Sequence, residues 1–405
     1  MENIPVSSSR IRNSVVIKTT CLVLFFIAFF GLKILPIKQT QWDFIVFPFF
    51  AFTIIRYIRW NNLYSKFIII YSLFVAASCF YSHLYNHQAL SLVVFHSYKY
   101  FALLFFFYLM HTKPTIAEAE QILLRIAIIC CFCYIIQWII YPNVIFYSAE
   151  EGRGASEYEY RARIPGSISC YCILLYGINK FILDHKLKYI FYSILGFIPI
   201  IIMGFRSLVF LTAATAFLMI PFIVRTGKKT LLYISLGAAI TIGVLQTDLV
   251  QSKMDEMISR QESEQTFENK DYIRYLEFDY YWEDYFNKPG EKFFGGGVPV
   301  DMATKYRKEI YYNNFAWSDL GLIGLSMIIG IPAVSILILL YLICLLRNEE
   351  PQIQYLRFTL ILVLLGSFTT AELYREGNIL LFSLYLYIEY QYHRSGSISS
   401  SKNTM

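Results

Sequence analysis

Apolar runs separated by short polar turns recur from one end of the chain to the other. A run of ~20 apolar residues is one helical crossing of a bilayer. On that measure about twelve spans are predicted. They fall near 14–33, 43–60, 65–82, 89–110, 119–141, 165–183, 187–204, 206–224, 229–247, 316–346, 353–371 and 376–392. The 316–346 run is overlong, so it is expected to tilt or to begin as a helix outside the bilayer. A re-entrant segment could hide within 43–82. Two polar stretches interrupt the pattern, Asn143 to Arg163 and about Asp248 to Phe315. The second holds "KDYIRYLEFDYYWEDYF", in which Ile273, Leu276, Tyr280 and Tyr281 are spaced to give one apolar helical face. It closes in "EKFFGGGVPVD", a turn rich in glycine. The expected fold is an all-α polytopic membrane protein, one integral domain over 1–405. Within it, 248–315 is a large, partly helical outer loop and 393–405 a disordered tail. The polar start "MENIPVSSSRIRNS" lacks a small-residue cleavage site after its first apolar run. That run is therefore expected to stay as the first span.

Composition agrees with the pattern. The chain has 405 residues, of which 57% are hydrophobic and only 16% charged, against about 25% in an ordinary soluble domain. Its mean hydropathy is +0.48. A soluble domain with a single anchor is excluded. The net charge of +6 is no sign of nucleic-acid binding, because membrane proteins concentrate positive charge in cytoplasmic loops. With the N-terminus in the cytoplasm, the inner segments hold Arg10, Arg12, Lys18, Arg56, Arg59, Lys66, Lys113, Lys180, Lys186, Lys188, Arg225, Lys228, Lys229, Arg347, Arg357, Arg394 and Lys402. The short outer segments hold fewer: Lys33, Lys38, Arg153, Arg161, Arg163, Arg206 and Arg375. This bias places both termini inside. The eight cysteines sit in apolar runs without two paired CxxC units, so "CCFC" at 130–133 reads as packing rather than a metal site.

After residue 40 the short outer segments carry arginine and no lysine. Arg206, in "MGFRSLVF", joins two spans with almost no loop, so its guanidinium must sit at the membrane surface or in a cavity opening there. An ionisable group at membrane depth is costly and usually functional. Arginine offers a fixed fork of donors for phosphate or carboxylate oxygens. Headgroup contacts, or pairing with Glu150, Glu151, Glu157 and Glu159, suit Arg153 and Arg161. A functional role suits Arg163 and Arg206. Arg375, in "AELYREG", fits pairing with Glu372 or Glu376 and fits chemistry equally well. His83 and His87 stand at i, i+4 near an outer turn, but two ligands fall short of a metal site. Aromatic residues at Tyr272, Tyr275, Tyr280, Tyr281, Trp282, Tyr311, Tyr312 and Trp317 could stack on sugar rings. A simple amphipathic helix on the bilayer explains the 272–285 set equally well.

Four elements in chain order resemble the O-antigen polymerase and ligase superfamily of bacterial inner-membrane proteins. The first is "RARIPG", an Arg-x-x-Gly step into a helix at Arg163 and Gly166. The second is "MGFRSLVF", with Phe205-Arg206-Ser207 between two spans. The third is the outer loop with Arg274, then "YYWEDYF", then "FFGGGVP". The fourth is "NNFAWSDLGLIGL", with Asn313, Asn314, Leu320, Gly321 and Gly324. Together they cover roughly the C-terminal two thirds of the chain.

The resemblance implies a C-type glycosyltransferase-like architecture with its site at the outer face beneath the large loop. It implies no nucleotide sugar, no metal and no cofactor. It further implies a polyprenyl-diphosphate-linked oligosaccharide as donor, a second lipid-linked glycan as acceptor, and a chain-length regulator protein as a possible partner. Arg206, Arg274 and Arg163 are then the catalytic candidates, placed for the charge that develops on the departing diphosphate. Arg161, Tyr312, Asn313, Asn314, Trp317, Asp319 and Arg375 are the substrate-binding candidates. Ligases usually carry histidine where this chain has Asn313, and asparagine is no base. That favours polymerisation of O-antigen, capsule or exopolysaccharide repeats over ligation of finished polymer. A flippase for the same lipid-linked sugar is the non-enzyme alternative. The base for the acceptor hydroxyl is unassigned. Asp271, Glu277, Asp279, Asp319 and Glu372 are its outer-face carboxylate candidates.

Overall fold

In a computed structural model of the chain, the residues described are 17–18, 55–140, 143, 145–146, 166–203, 206–224, 235, 246, 251, 273–286, 288–298, 317–347, 350–368, 373 and 377–402. Every element among them is helical. Helix α1 (Leu63–Asn86) starts at Asn62, whose side-chain oxygen accepts the Ser65 N–H at 2.8 Å. Such a cap satisfies one of the donors a helix start leaves over. It ends at His87, which takes the left-handed conformation with φ 53°. Helix α2 (Leu90–His96) and the following stretch Tyr100–Thr112, which contains α3 (Phe105–Thr112), are bent by 59° at their junction. Helix α4 (Ile116–Ile139) opens with a reciprocal Thr115–Glu118 capping box. Helices α1 and α4 are long and apolar enough to cross a membrane, and the bent pair adds a third if it counts as one span.

Helices α5 (Ile168–Asp184), α6 (Lys188–Ile202) and α7 (Arg206–Val224) follow the predicted spans closely. The predicted spans at 14–33 and 229–247 lie almost wholly outside the described residues, and of the span at 43–60 only 55–60 is described. Within the large polar loop at 248–315 lie α8 (Ile273–Asp279) and α9 (Pro289–Phe294). The overlong run at 316–346 is not one helix. It divides into a tight turn, Trp317–Leu320, then α10 (Gly321–Ile329) and α11 (Ile331–Arg347). Gly330, at φ 86°, makes the break. A side chain there would run into the Phe293 carbonyl oxygen and the Phe294 backbone, so glycine lets the large loop approach the interrupted helix. Helices α12 (Gln354–Gly366) and α13 (Asn378–Lys402) complete the chain. Helix α13 runs into the serine-rich tail that composition marks as disordered, since extending a helix already nucleated is cheap.

One large apolar core runs through the bundle, with Tyr71, Tyr134, Tyr171, Tyr341, Tyr355 and Tyr385 among its largest fully buried side chains. At one end of the bundle, polar contacts tie the helices together. Tyr64 bonds Glu389, and the Arg347 guanidinium lies 5.8 Å from the Tyr64 ring centre. Tyr387 Oη donates to the Pro114 carbonyl at 2.7 Å, and Tyr355 Oη to Glu120 Oε1 at 2.8 Å. Asn179 Nδ2 donates to the Pro351 carbonyl at 3.1 Å. The segments gathered here are ones that the charge pattern groups together, and these contacts hold them side by side. The seven described cysteines are buried free thiols. Among the described residues no group of three or more His, Cys, Asp or Glu could hold a metal ion.

Candidate functional site

At the opposite end of the bundle the large loop is fastened to the interrupted helix. Helix α9 runs into Gly295-Gly296-Gly297. The Gly296 N–H donates to the Met327 carbonyl at 2.7 Å, and the Gly297 N–H to the Ile328 carbonyl at 3.0 Å. A helix end leaves its last carbonyls without intrahelical partners, and here the loop backbone caps two of them. Ser78 Oγ of α1 also donates to the Ile328 carbonyl, at 2.6 Å, and Asn86 Nδ2 donates to the Gly296 carbonyl at 3.0 Å. Gly297 has φ 74°, and a Cβ there would lie 2.5 Å from Ser82 Cβ. The glycine turn is thus wedged between the end of α1 and the break at Gly330.

The loop helix α8 continues as a wider π-helical turn, Tyr280–Tyr285, a form frequent at functional sites. Tyr281, Phe286, Leu320 and Met327 make a small core of their own, with Phe278, Tyr280, Trp282, Tyr285 and Trp317 packed around it. Phe278 stacks on Trp282 at 6.0 Å, and the Lys292 ammonium sits 4.4 Å from the Trp282 ring centre. These contacts seat α8 on α9 and on the turn Trp317–Leu320. The buried face of α8 departs in part from the one that apolar spacing predicts. Tyr281 is 0% exposed and Tyr280 half-buried, as expected, but Leu276 is 39% exposed while Glu277 is 1% exposed. The spacing argument fails at Leu276 because it assumes a regular helix with an apolar inner face. Here the helix widens at Tyr280 and its inner face carries a carboxylate.

Of the arginines, Arg206 opens α7 and Arg274 lies in α8, both placed by their backbone. Trp317 and Asp319 lie half-buried in the turn under α8. Arg161, Arg163, Tyr312, Asn313, Asn314 and Arg375 lie outside the described residues. The helices that follow three of these segments do meet. The Ile168 N–H, at the start of α5, donates to Asn378 Oδ1 at the start of α13, at 3.4 Å. The Leu373 N–H donates to Ser367 Oγ at 2.7 Å, and the Leu322 N–H to the Ser367 carbonyl at 3.0 Å. Tyr171 Oη lies 3.8 Å from Met203 Sδ, which brings the end of α6, just before Arg206, to the first turn of α5. Four separate stretches of sequence therefore converge at this end.

No protein-family model matches the chain, and no curated protein matches it. The functional assignment rests on the residues themselves. Sequence spacing missed the polar seam under the glycine turn, formed by Ser78, Ser82, Asn86 and Gln88. Gln88 is 3% exposed and Ser82 0%, and Gln88 Nε2 donates to Ser82 Oγ at 2.7 Å. Small polar residues inside an apolar span were the available signal. His83 and His87 belong to this turn. The Gln88 carbonyl lies 2.8 Å from His83 Nδ1. A carbonyl only accepts, so Nδ1 carries the proton. His87 caps α1 through its backbone N–H. Aromatic faces, a backbone-fixed turn and arginine-bearing segments at one end can hold a sugar and an anionic leaving group together.

Proposed function

We propose that this protein polymerises lipid-linked oligosaccharide repeats by glycosyl transfer from a polyprenyl diphosphate donor. The site would face the periplasm of a bacterial inner membrane, with both termini cytoplasmic and about twelve spans in all. The observation that carries the reading is the seating of α8, with Arg274, on the turn Trp317–Leu320, at the end where the helices following Arg163 and Arg375 meet. A donor of this kind loses a diphosphate, and guanidinium groups stabilise that developing charge. Arg206, Arg274 and Arg163 are assigned that task, in that order. Arg161, Tyr312, Asn313, Asn314, Trp317, Asp319 and Arg375 are assigned to holding the glycan and its diphosphate. Asn313 in place of a histidine base keeps polymerisation ahead of ligation. The bent pair Leu90–His96 and Tyr100–Thr112 favours a flippase, since transporters build sites from interrupted helices.

A glycan ladder from cells lacking the protein separates these readings. A polymerase leaves a single repeat unit on the surface carrier, and Arg206→Ala fails to restore the ladder at normal protein level. A ligase leaves full-length polymer on its lipid. A flippase leaves unextended repeats on the inner leaflet. An unchanged ladder removes all three for that glycan.

A further inference from the structure

We propose that the corner where residues 55–60 meet the turn between α3 and α4 is a seat for the headgroup of an anionic phospholipid. From Phe44 to Ala117 the sequence carries no aspartate or glutamate, yet it carries Arg56, Arg59, Lys66, Lys99 and Lys113. The fold gathers four of these five cations at one end of the bundle. The Tyr57 ring stacks on the His111 ring at 3.9 Å, with 17° between their planes, and lies 6.5 Å from Tyr108. That contact sets Arg56 and Arg59 beside the last turn of α3. Lys113 follows directly, in the left-handed conformation that ends α3. Lys66 stands in the first turn of α1, whose Tyr64 meets Phe106 of α3 at 6.3 Å. The side chains of all four cations are exposed.

The carboxylates at this end are committed elsewhere. Glu118 caps α4 with Thr115, Glu120 accepts from Tyr355, and Glu389 is buried with Tyr64. Among the described residues, none of the four cations is paired with a carboxylate. Charge alone would suit any anion, but the apolar neighbours narrow the choice. Ile55, Ile58, Trp60 and Leu63 are exposed and alternate with the arginines. A free phosphate gains nothing from them. A phospholipid sets its phosphate on the guanidinium forks and its glycerol and first acyl carbons on the apolar side chains. Trp60 then lies at headgroup level, where such rings collect. Each cation near the surface adds to the hold on an anionic lipid. The turn between α5 and α6 supplies the contrast. Lys180, Lys186 and Lys188 are there, but Asp184 stands among them. Lys188 lies 5.0 Å from the Tyr189 ring centre and Lys180 5.7 Å from that of Tyr176. That turn uses its charge on its own side chains. The seat holds whichever reaction the opposite end performs.

The test uses the full-length protein in a neutral detergent. Its probes are phosphatidylglycerol, phosphatidylcholine, inorganic diphosphate and a polyprenyl phosphate. Native mass spectrometry counts bound lipid, and thermal melting reads its effect. Wild type should retain phosphatidylglycerol and melt higher with it, while phosphatidylcholine does neither. The triple variant Arg56→Gln, Arg59→Gln, Lys113→Gln should bind phosphatidylglycerol roughly a hundredfold more weakly. The triple variant Lys180→Gln, Lys186→Gln, Lys188→Gln removes the same charge and should bind as wild type. If the first triple melts low without lipid, Arg56→Gln alone carries the test, with a loss of roughly fivefold. Equal weakening in both triples would mean diffuse surface charge and overturn the seat. Equal binding of the two lipids by wild type, or binding of neither, would overturn it without any variant. Displacement by inorganic diphosphate would make this a general anion site. Preference for the polyprenyl phosphate would make it a seat for a carrier. Either result overturns the proposal.

Discussion

At the scale of single residues, the two ends of the bundle spend their polar groups differently. Glu389 is 2% exposed and receives the Tyr64 hydroxyl on one oxygen. His393 Nε2 approaches the other at 2.9 Å. Tyr64→Phe leaves a buried acceptor short of a donor, so stability should fall by about 1–3 kcal/mol. Denaturation in detergent reads that change, and a neutral result would show that water or His393 takes over. Arg206→Lys should keep the charge and lose the paired donors, so it should restore only part of the ladder that Arg206→Ala loses. A full ladder from the lysine variant would mean that charge alone suffices. Glu277 marks the limit of sequence reading at this scale. Along the chain it looks like any other carboxylate of its loop, and only the way α8 packs shows it buried.

At the scale of elements, hydrophobic spacing was a good guide where helices are regular and a poor one where they are interrupted. Helices α1, α4, α5, α6 and α7 fall within a few residues of the predicted spans. The run at 316–346 reads as one long span, because glycine at 330 leaves apolar character unbroken while its backbone turns away. Aromatic residues also dominate 278–286, so apolar spacing could not reveal the π-helical widening at Tyr280. The wedge of Gly295–Gly297 gives an element-scale prediction. Gly297→Ala sets a methyl group against Ser82 at a left-handed backbone position. It should lower stability by at least ~1 kcal/mol and release the loop. Hydrogen exchange at Gly296 and Gly297 should then rise well above wild type. Unchanged protection would show that Ser82 yields instead.

At the scale of the whole molecule, the charge pattern and the contacts agree on which segments share an end. Impermeant maleimide should reach cysteines placed at Lys113 and Lys186 from one side of a membrane, and cysteines placed at His87 and Gly290 from the other. Labelling of all four from the same side would refute the two-sided arrangement. The native thiols described are buried, so they should stay unlabelled until the protein is denatured. Chelators should leave elongation unchanged, as expected for a diphosphate donor served by arginines; a loss restored by magnesium or manganese would bring a metal into the reaction.

The capping of Met327 and Ile328 by the glycine turn has a consequence for engineering. The large loop is not a detachable module. A graft that replaced 248–315 at its visible ends would remove the two N–H groups that complete α10, and strand their carbonyls in apolar surroundings. A chimera meant to exchange glycan preference should instead carry residues 289–330 across as one inheritable unit, with Ser78, Ser82 and Asn86 of the host retained as its socket.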